Sequence, residues 1–252
     1  MTIEIDLTGR VALVTGGARG VGLGITERLI AAGATVVVCG RNQPDRLPDG
    51  VTFLVADVRD PTSTDALIEQ IVARHGRLDI AVNNAGGSPG TDAATASPRF
   101  SEKILALNLT AALHVAQATN RIMQQQETGG SIVNITSLSG LRPSPGTAAY
   151  GAAKAGLLNL TTSLAMEWAP LVRVNAVSPG MVRTEVFDDY YGGPEGAAAV
   201  EATVPLGRVS EPGDVGNAVA FLASDLAASI SGANLVVHGG GERLALHDHQ
   251  QG

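Results

Sequence analysis

Seven short apolar blocks, each followed by a longer stretch of mixed character, constrain this chain more than any other feature. They are Val11–Val14, Thr35–Cys39, Val51–Val55, Asp79–Val82, Ser131–Ile135, Val172–Val177 and Asn234–Val237. Most lack strict apolar/polar alternation, so both faces of each block call for burial. That is the condition of a strand in a parallel sheet covered by helices on both sides. The stretches between them read as helices: Gly22–Ala32, Pro61–Arg74, Pro98–Asn108, Thr110–Gln124, Ala149–Trp168 and Pro212–Ala223. Asp60-Pro61 supplies an N-cap followed by proline at the first helical position, and His75-Gly76 a stop. Strand and helix repeated along the whole length predict an α/β fold in which residues 1–252 form one domain. Its doubly wound sheet is mostly or fully parallel and seven-stranded, with helices on both faces. Right-handed crossovers place the strand C-terminal ends, and the loops leaving them, along one edge. Residues 181–205 are the least regular part and follow a predicted strand; they are expected to be a loop region covering a substrate.

Composition narrows the partners. Hydrophobic residues make up 44% of the 252 and charged residues 16%, a globular balance. Twenty-four acidic residues against 17 Lys plus Arg give a net charge of -7 with no basic run, which argues against a nucleic-acid partner. Cys39 is the only cysteine, so neither an intrachain disulfide nor a cysteine metal set can form. The start, Met1 to Asp6, lacks the basic and apolar blocks of a signal peptide. Apolar runs stay well short of the roughly 18 residues that cross a bilayer. A cytoplasmic protein without membrane contact is the expectation. His247-Asp248-His249 offers too few ligands for a metal, so no metal site is expected.

Three local patterns carry chemistry. Thr15-Gly16-Gly17-Ala18-Arg19-Gly20-Val21-Gly22 links the first strand to the first helix. Gly16 permits a turn costly to other residues. Gly20 and Gly22 let backbone approach a diphosphate at the positive end of a helix. Tyr150 and Lys154 are four apart and share a helical face. A phenol with an ordinary pKa near 10 exchanges protons poorly at neutral pH, and a nearby ammonium is expected to lower that value. Ser137, just past the fifth strand and 13 residues before Tyr150, can reach the same carbonyl oxygen. Thr136 and Ser139 are alternatives that spacing alone does not remove.

Together with Asn83-Asn84-Ala85-Gly86 and Pro179-Gly180, these motifs make the chain similar, from about residue 6 to about 240, to the short-chain dehydrogenase/reductase family. The resemblance implies a Rossmann fold, a nicotinamide cofactor and a homotetramer. It assigns Ser137, Tyr150, Lys154 and Asn108 to catalysis, with the Asn108 backbone holding a water that leads to the lysine. It assigns cofactor contacts to Gly16, Arg19, Gly20, Val21, Gly22, Arg41, Asp57, Val58, Asn84, Ala85, Gly86, Tyr150, Lys154, Pro179, Gly180, Val182 and Thr184. Asp57 would accept a bond from the adenine amino group, Val182 would meet the carboxamide, and Thr184 would lie near the diphosphate.

Gly40 stands where NAD-preferring relatives often carry an aspartate, and Arg41 and Arg19 flank the adenosine end. Two guanidiniums suit a 2′-phosphate, so NADP(H) is favoured; NAD(H) is the alternative if the arginines point away. The expected reaction is hydride transfer between NADP(H) and a ketone or secondary alcohol, resembling reductases of 3-oxoacyl thioesters and dehydrogenases of hydroxysteroids. The competing classes are a non-catalytic nicotinamide-binding regulator and an NAD-retaining isomerase or dehydratase. Phe187, Tyr190 and Tyr191 stand as either substrate-lining or surface residues.

Overall fold

The structure, a computed structural model, describes residues 3–242. Its strands are β1 (Val11–Thr15), β2 (Thr35–Gly40), β3 (Thr52–Val55), β4 (Ile80–Asn83), β5 (Gly130–Ile135), β6 (Val172–Pro179) and β7 (Asn234–Val237). They form one seven-stranded sheet in the order β3-β2-β1-β4-β5-β6-β7, and every neighbouring pair is parallel. The winding reverses between β1 and β4, the point of such a sheet at which ligands characteristically bind, outside the strand C-terminal ends.

Among the described residues eight α-helices accompany them: α1 (Gly20–Ala31), α2 (Pro61–His75), α3 (Pro98–Leu105), α4 (Ala111–Met123), α5 (Ala148–Glu167), α6 (Phe187–Tyr190), α7 (Pro194–Ala202) and α8 (Pro212–Ala223). Asp60 caps α2 by accepting from Thr62 N at 2.9 Å. Glu211 opens α8 in a reciprocal capping box with Asp214. Neighbouring strand residues feed opposite layers. Val11 and Leu13 join Val37, Leu67, Ile71 and Val115 on one face. Ala12 and Val14 join Ile25, Leu29, Val215 and Val219 on the other. Two buried faces explain why the strands do not alternate, and each fully buried Leu, Ile or Val contributes about 1.5–3 kcal/mol.

The structure differs from the sequence reading in two places that bear on function. The helices expected to break at Asn108 are continuous through one turn of π-helix, Ala106–Thr110. The buried Asn108 amide is accommodated by widening the turn, and its side chain finds partners at Gly87 in a neighbouring loop. The region 181–205, expected as a loop, contains α6 and α7. Phe187, Ala197, Val204 and Val209 give it a small apolar cluster of its own. One helix is a single turn and the other draws most of its apolar content from alanine, so neither carries a strong periodic pattern.

Candidate active site

β1 ends at Thr15 and α1 begins at Gly20. Gly16 (φ 65) and Gly20 (φ 52) occupy the left-handed region that the turn demands. A Cβ on Gly22 would stand 2.2 Å from the Gly16 carbonyl oxygen, so the turn is folded hard against the first turn of the helix. Arg19, at the N-cap, makes no side-chain cap bond, and no acidic residue lies in the first turn. This positive helix end is therefore offered to an external anion, and a dinucleotide diphosphate fits it. Val21 follows within α1, and Thr184 closes the cradle from across, its Cγ2 3.4 Å from where a Gly20 Cβ would be.

Thr15 and Asn84 fasten this turn to the end of β4. The Thr15 hydroxyl accepts from the backbone N–H groups of Asn84 and Ala85, each at 3.0 Å. The Asn84 side-chain amide donates to the carbonyls of Thr15 at 2.9 Å and Gly16 at 3.2 Å. The next residue, Gly86, has no room for a side chain: a Cβ there would lie 2.7 Å from Asn108 Oδ1 and 3.3 Å from Lys154 Nζ.

On the other side of β1, Arg41 and Asp57 leave the adjacent ends of β2 and β3, with Val58 buried beside them. Arg19 and Arg41 are both exposed. Asp57 is engaged by a residue that the sequence reading did not single out, Arg59. The Arg59 backbone N–H and Nε reach Oδ1 at 3.1 and 2.9 Å, and Nη2 reaches Oδ2 at 2.5 Å. Those bonds are the main reason the Asp57 carboxyl is held down at about 2.

The proposed catalytic groups meet at the C-terminal ends of β4 and β5. Lys154 is 3% exposed and donates to the Ile135 carbonyl at 2.8 Å. Its ammonium lies 5.6 Å from the centre of the Tyr150 ring. Ser137 leaves β5 beside the phenol and also accepts from Ser139 N at 3.1 Å. Thr136, in contrast, is buried and bonded to the Val177 carbonyl and to Ser178. Asn108 lies under this group: its amide donates to the carbonyls of Gly87 and Ile104, each at 3.0 Å, and accepts from Gly87 N at 2.8 Å.

The electrostatics correct one expectation. Lys154 does not lower the Tyr150 pKa in this structure: burial raises the phenol, opposed only by the bond to Ser137. Lys154 itself is pushed down to about 8 by burial. Desolvation of the phenol is the larger effect at this site.

Pro179 ends β6 and Gly180 follows, with His238 so close that a Cβ on Gly180 would fall 2.6 Å from its Cβ. Val182, at the start of the 181–205 segment, pairs with Ser210, just before α8. Arg183 binds this segment internally, to Asp188 at 3.0 Å and Glu201 at 2.7 Å, and lies over the Phe187 ring at 4.9 Å. Phe187 is thus a core residue of the segment, while Tyr190 is exposed. Arg142, from the β5–α5 connection, pairs with Glu242 beyond β7.

Cys39 is buried and its thiol is pushed up to about 12 by desolvation, which leaves it inert. Among the described residues no cluster of His, Cys, Asp or Glu is placed to hold a metal, and no helix is long and apolar enough to cross a membrane. His247, Asp248 and His249 lie outside the described residues.

Comparison with known proteins bears on the same edge of the sheet. The family model described as enoyl-(acyl carrier protein) reductase matches residues 16–242. A 3alpha-hydroxysteroid dehydrogenase of Mediterraneibacter gnavus is 37% identical over 92% of this chain and 97% of its own length. The 3-oxoacyl-(acyl-carrier-protein) reductase of Escherichia coli is 36% identical over 94% of this chain and 98% of its own. Among solved structures, the aldohexose dehydrogenase of Thermoplasma acidophilum superposes with a TM-score of 0.89 at 29% identity, covering 94% of this chain and 96% of that one. A glycine turn at the switch point, a half-buried Tyr150 four residues before a buried Lys154 on α5, and relatives matched nearly end to end lead to one conclusion: the chain belongs to the short-chain dehydrogenase/reductase family and is an NAD(P)-dependent oxidoreductase of small molecules.

Proposed function

We propose that the protein transfers a hydride between NADP(H) and a ketone or secondary alcohol, with NAD(H) the weaker cofactor and Tyr150 the general acid/base. The observation that carries this reading is the meeting of Tyr150, Ser137 and buried Lys154 on the edge where the uncapped end of α1 opens. The cofactor, when bound, supplies or accepts the hydride. Gly16, Arg19, Gly20, Val21 and Gly22 cradle its diphosphate with Thr184. Asp57 and Val58 border the adenine, and Asn84, Ala85 and Gly86 the adenosine ribose and central sheet. Pro179, Gly180 and Val182 border the nicotinamide. Arg19 and Arg41 favour the extra phosphate of NADP(H), with Gly40 placing no carboxylate there.

In carbonyl reduction the Ser137 and Tyr150 hydroxyls donate to the substrate oxygen, and Tyr150 gives its proton to the forming alkoxide. A phenol raised by burial is a protonated donor at neutral pH, which suits this direction. Lys154 holds the nicotinamide ribose and offsets the phenolate charge that follows. Asn108 fixes Gly87 and the floor under Lys154, on the water route by which the proton is replaced. Residues 181–205 cover the substrate, and the active form is a homotetramer. The substrate class lies among 3-oxoacyl thioesters, hydroxysteroids and simple secondary alcohols, after the names of the relatives.

The test is an absorbance assay with NADPH and NADH against acetoacetyl-CoA, a steroid ketone and simple cyclic ketones. Turnover is expected with NADPH on at least one. Comparable or better kcat/KM with NADH removes the NADP(H) preference, and near-normal turnover of Tyr150→Phe removes the catalytic assignment.

A further inference from the structure

The adenosine end holds an ion pair that the cofactor reading does not use. Gly40 of β2 is in register with Val55 of β3, and Ala56 N donates to the Gly40 carbonyl at 2.9 Å. Residues 41 and 57 therefore leave neighbouring strand ends side by side. A lone carboxylate at 57 would be the natural partner of the guanidinium at 41. Asp57 is instead occupied by Arg59, which grips it with the backbone N–H and Nε on Oδ1 and Nη2 on Oδ2. Side-chain exposures of 35% and 34% place the pair at the rim rather than in the core. Among the described residues Arg41 makes no ion pair and no side-chain hydrogen bond, although its charge is felt at Asp57.

We infer that Arg59 is a positioning residue for cofactor choice: by taking both oxygens of Asp57 it leaves Arg41 available to a phosphate on the adenosine 2′ oxygen. The inference rests on the NADP(H) reading above and deepens it. Two effects act in the same direction. A bidentate arginine fixes the carboxylate in one orientation, and it cancels a negative charge beside the spot where a phosphate would sit. Without Arg59, Asp57 both recaptures Arg41 and repels the phosphate. One Asp57 lone pair on Oδ2 stays open for the adenine amino group, so both uses of the aspartate are compatible.

The test uses two probes that differ only in the phosphate concerned, adenosine 2′,5′-bisphosphate and adenosine 5′-monophosphate. Calorimetry gives the ratio of their Kd values for the wild-type protein, for Arg59→Gln, and for Arg59→Gln combined with Asp57→Asn. The wild type is expected to prefer the bisphosphate. Arg59→Gln should reduce that preference by about fivefold, the scale of one exposed ion pair, and Asp57→Asn should restore it by removing the competing charge. Damage of a merely structural kind weakens both probes together and leaves the ratio unmoved, which overturns the inference. A preference lost in Arg59→Gln and not regained in the double variant overturns it as well. A wild type with no preference for the bisphosphate removes the NADP(H) reading and this inference with it, whereas a clear wild-type preference untouched by Arg59→Gln removes this inference alone.

Discussion

Replacing Lys154 by methionine separates what the buried ammonium costs from what it contributes. Lys154 is 3% exposed, has one bonded carbonyl, Ile135 O, and is displaced by burial from 10.5 to about 8. Below pH 8 the amine is charged in both the folded and the unfolded chain, and the folded state bears the whole desolvation cost, about 3 kcal/mol at pH 7. Between the two pKa values the unfolded chain holds the proton and the folded chain has lost it, so stability rises with pH through this window. By pH 9.5 about 2 kcal/mol of the cost has disappeared. The other consequences of Lys154→Met are an Ile135 carbonyl left without its donor, about 1–3 kcal/mol, and a change in packing. Neither depends on pH.

Melting curves of the cofactor-free wild type and variant at pH 7, 8 and 9.5 should therefore not run parallel. The wild type is expected to gain on Lys154→Met by about 4–8 °C between the extremes, for a chain of this size. Turnover of the variant should fall at every pH. Parallel stability curves would show that the ammonium is not desolvated in the folded state and would refute the electrostatic account of the site.

Other substitutions probe separate parts of the architecture. Gly22→Ala places a Cβ 2.2 Å from the Gly16 carbonyl; a loss of about 1–3 kcal/mol in a melt and a much weaker cofactor are expected, and unchanged cofactor affinity would contradict the cradle. Tyr150→Phe should lower kcat by ~10²–10⁴ with cofactor Kd held within a few-fold, as measured by fluorescence titration. Asp79, which accepts from Val11 N and from Arg77 by two bonds, joins the starts of β1 and β4. Asp79→Ala should cost about 3 kcal/mol in denaturant unfolding without changing the NADPH-to-NADH preference. Arg183→Met breaks the ties to Asp188 and Glu201; it should raise substrate KM more than it lowers kcat and should speed proteolytic cutting near Gly192-Gly193.

The sheet was legible because burial on both faces is written into the strands themselves. Val36-Val37-Val38 and Ile132-Val133 cannot be half-exposed. The placement of Asn84, Ser137 and Asp57 along one edge was legible because hydrogen-bonding side chains sit just after those strands, where topology collects them. What escaped depends on partners distant in sequence or on weak local pattern. The continuity of the helix through Asn108 escaped because the partner of its side chain, Gly87, is 21 residues away. The helices in 181–205 escaped because alanines and single turns carry little periodicity. Arg59 had a visible signal, a cation two residues after Asp57 in Asp57-Val58-Arg59, but spacing alone does not say whether such a neighbour bonds or turns to solvent. The Tyr150 pKa was misjudged in direction because burial, the larger effect, has no local signature.

The double fastening of Thr15 to Asn84 has a consequence for motion. A hydroxyl and an amide crosslink the glycine turn to the end of β4 through four hydrogen bonds, so these two loops are expected to keep their relative position when a ligand binds. The opposite jaw, the α6–α7 segment, is tied to its surroundings by the Val182–Ser210 bridge and by the Leu206 N–H to Gly239 carbonyl bond at 3.0 Å, and any travel during catalysis is expected to fall there. Exchanging that jaw between relatives should transplant substrate taste while leaving cofactor grip where it was.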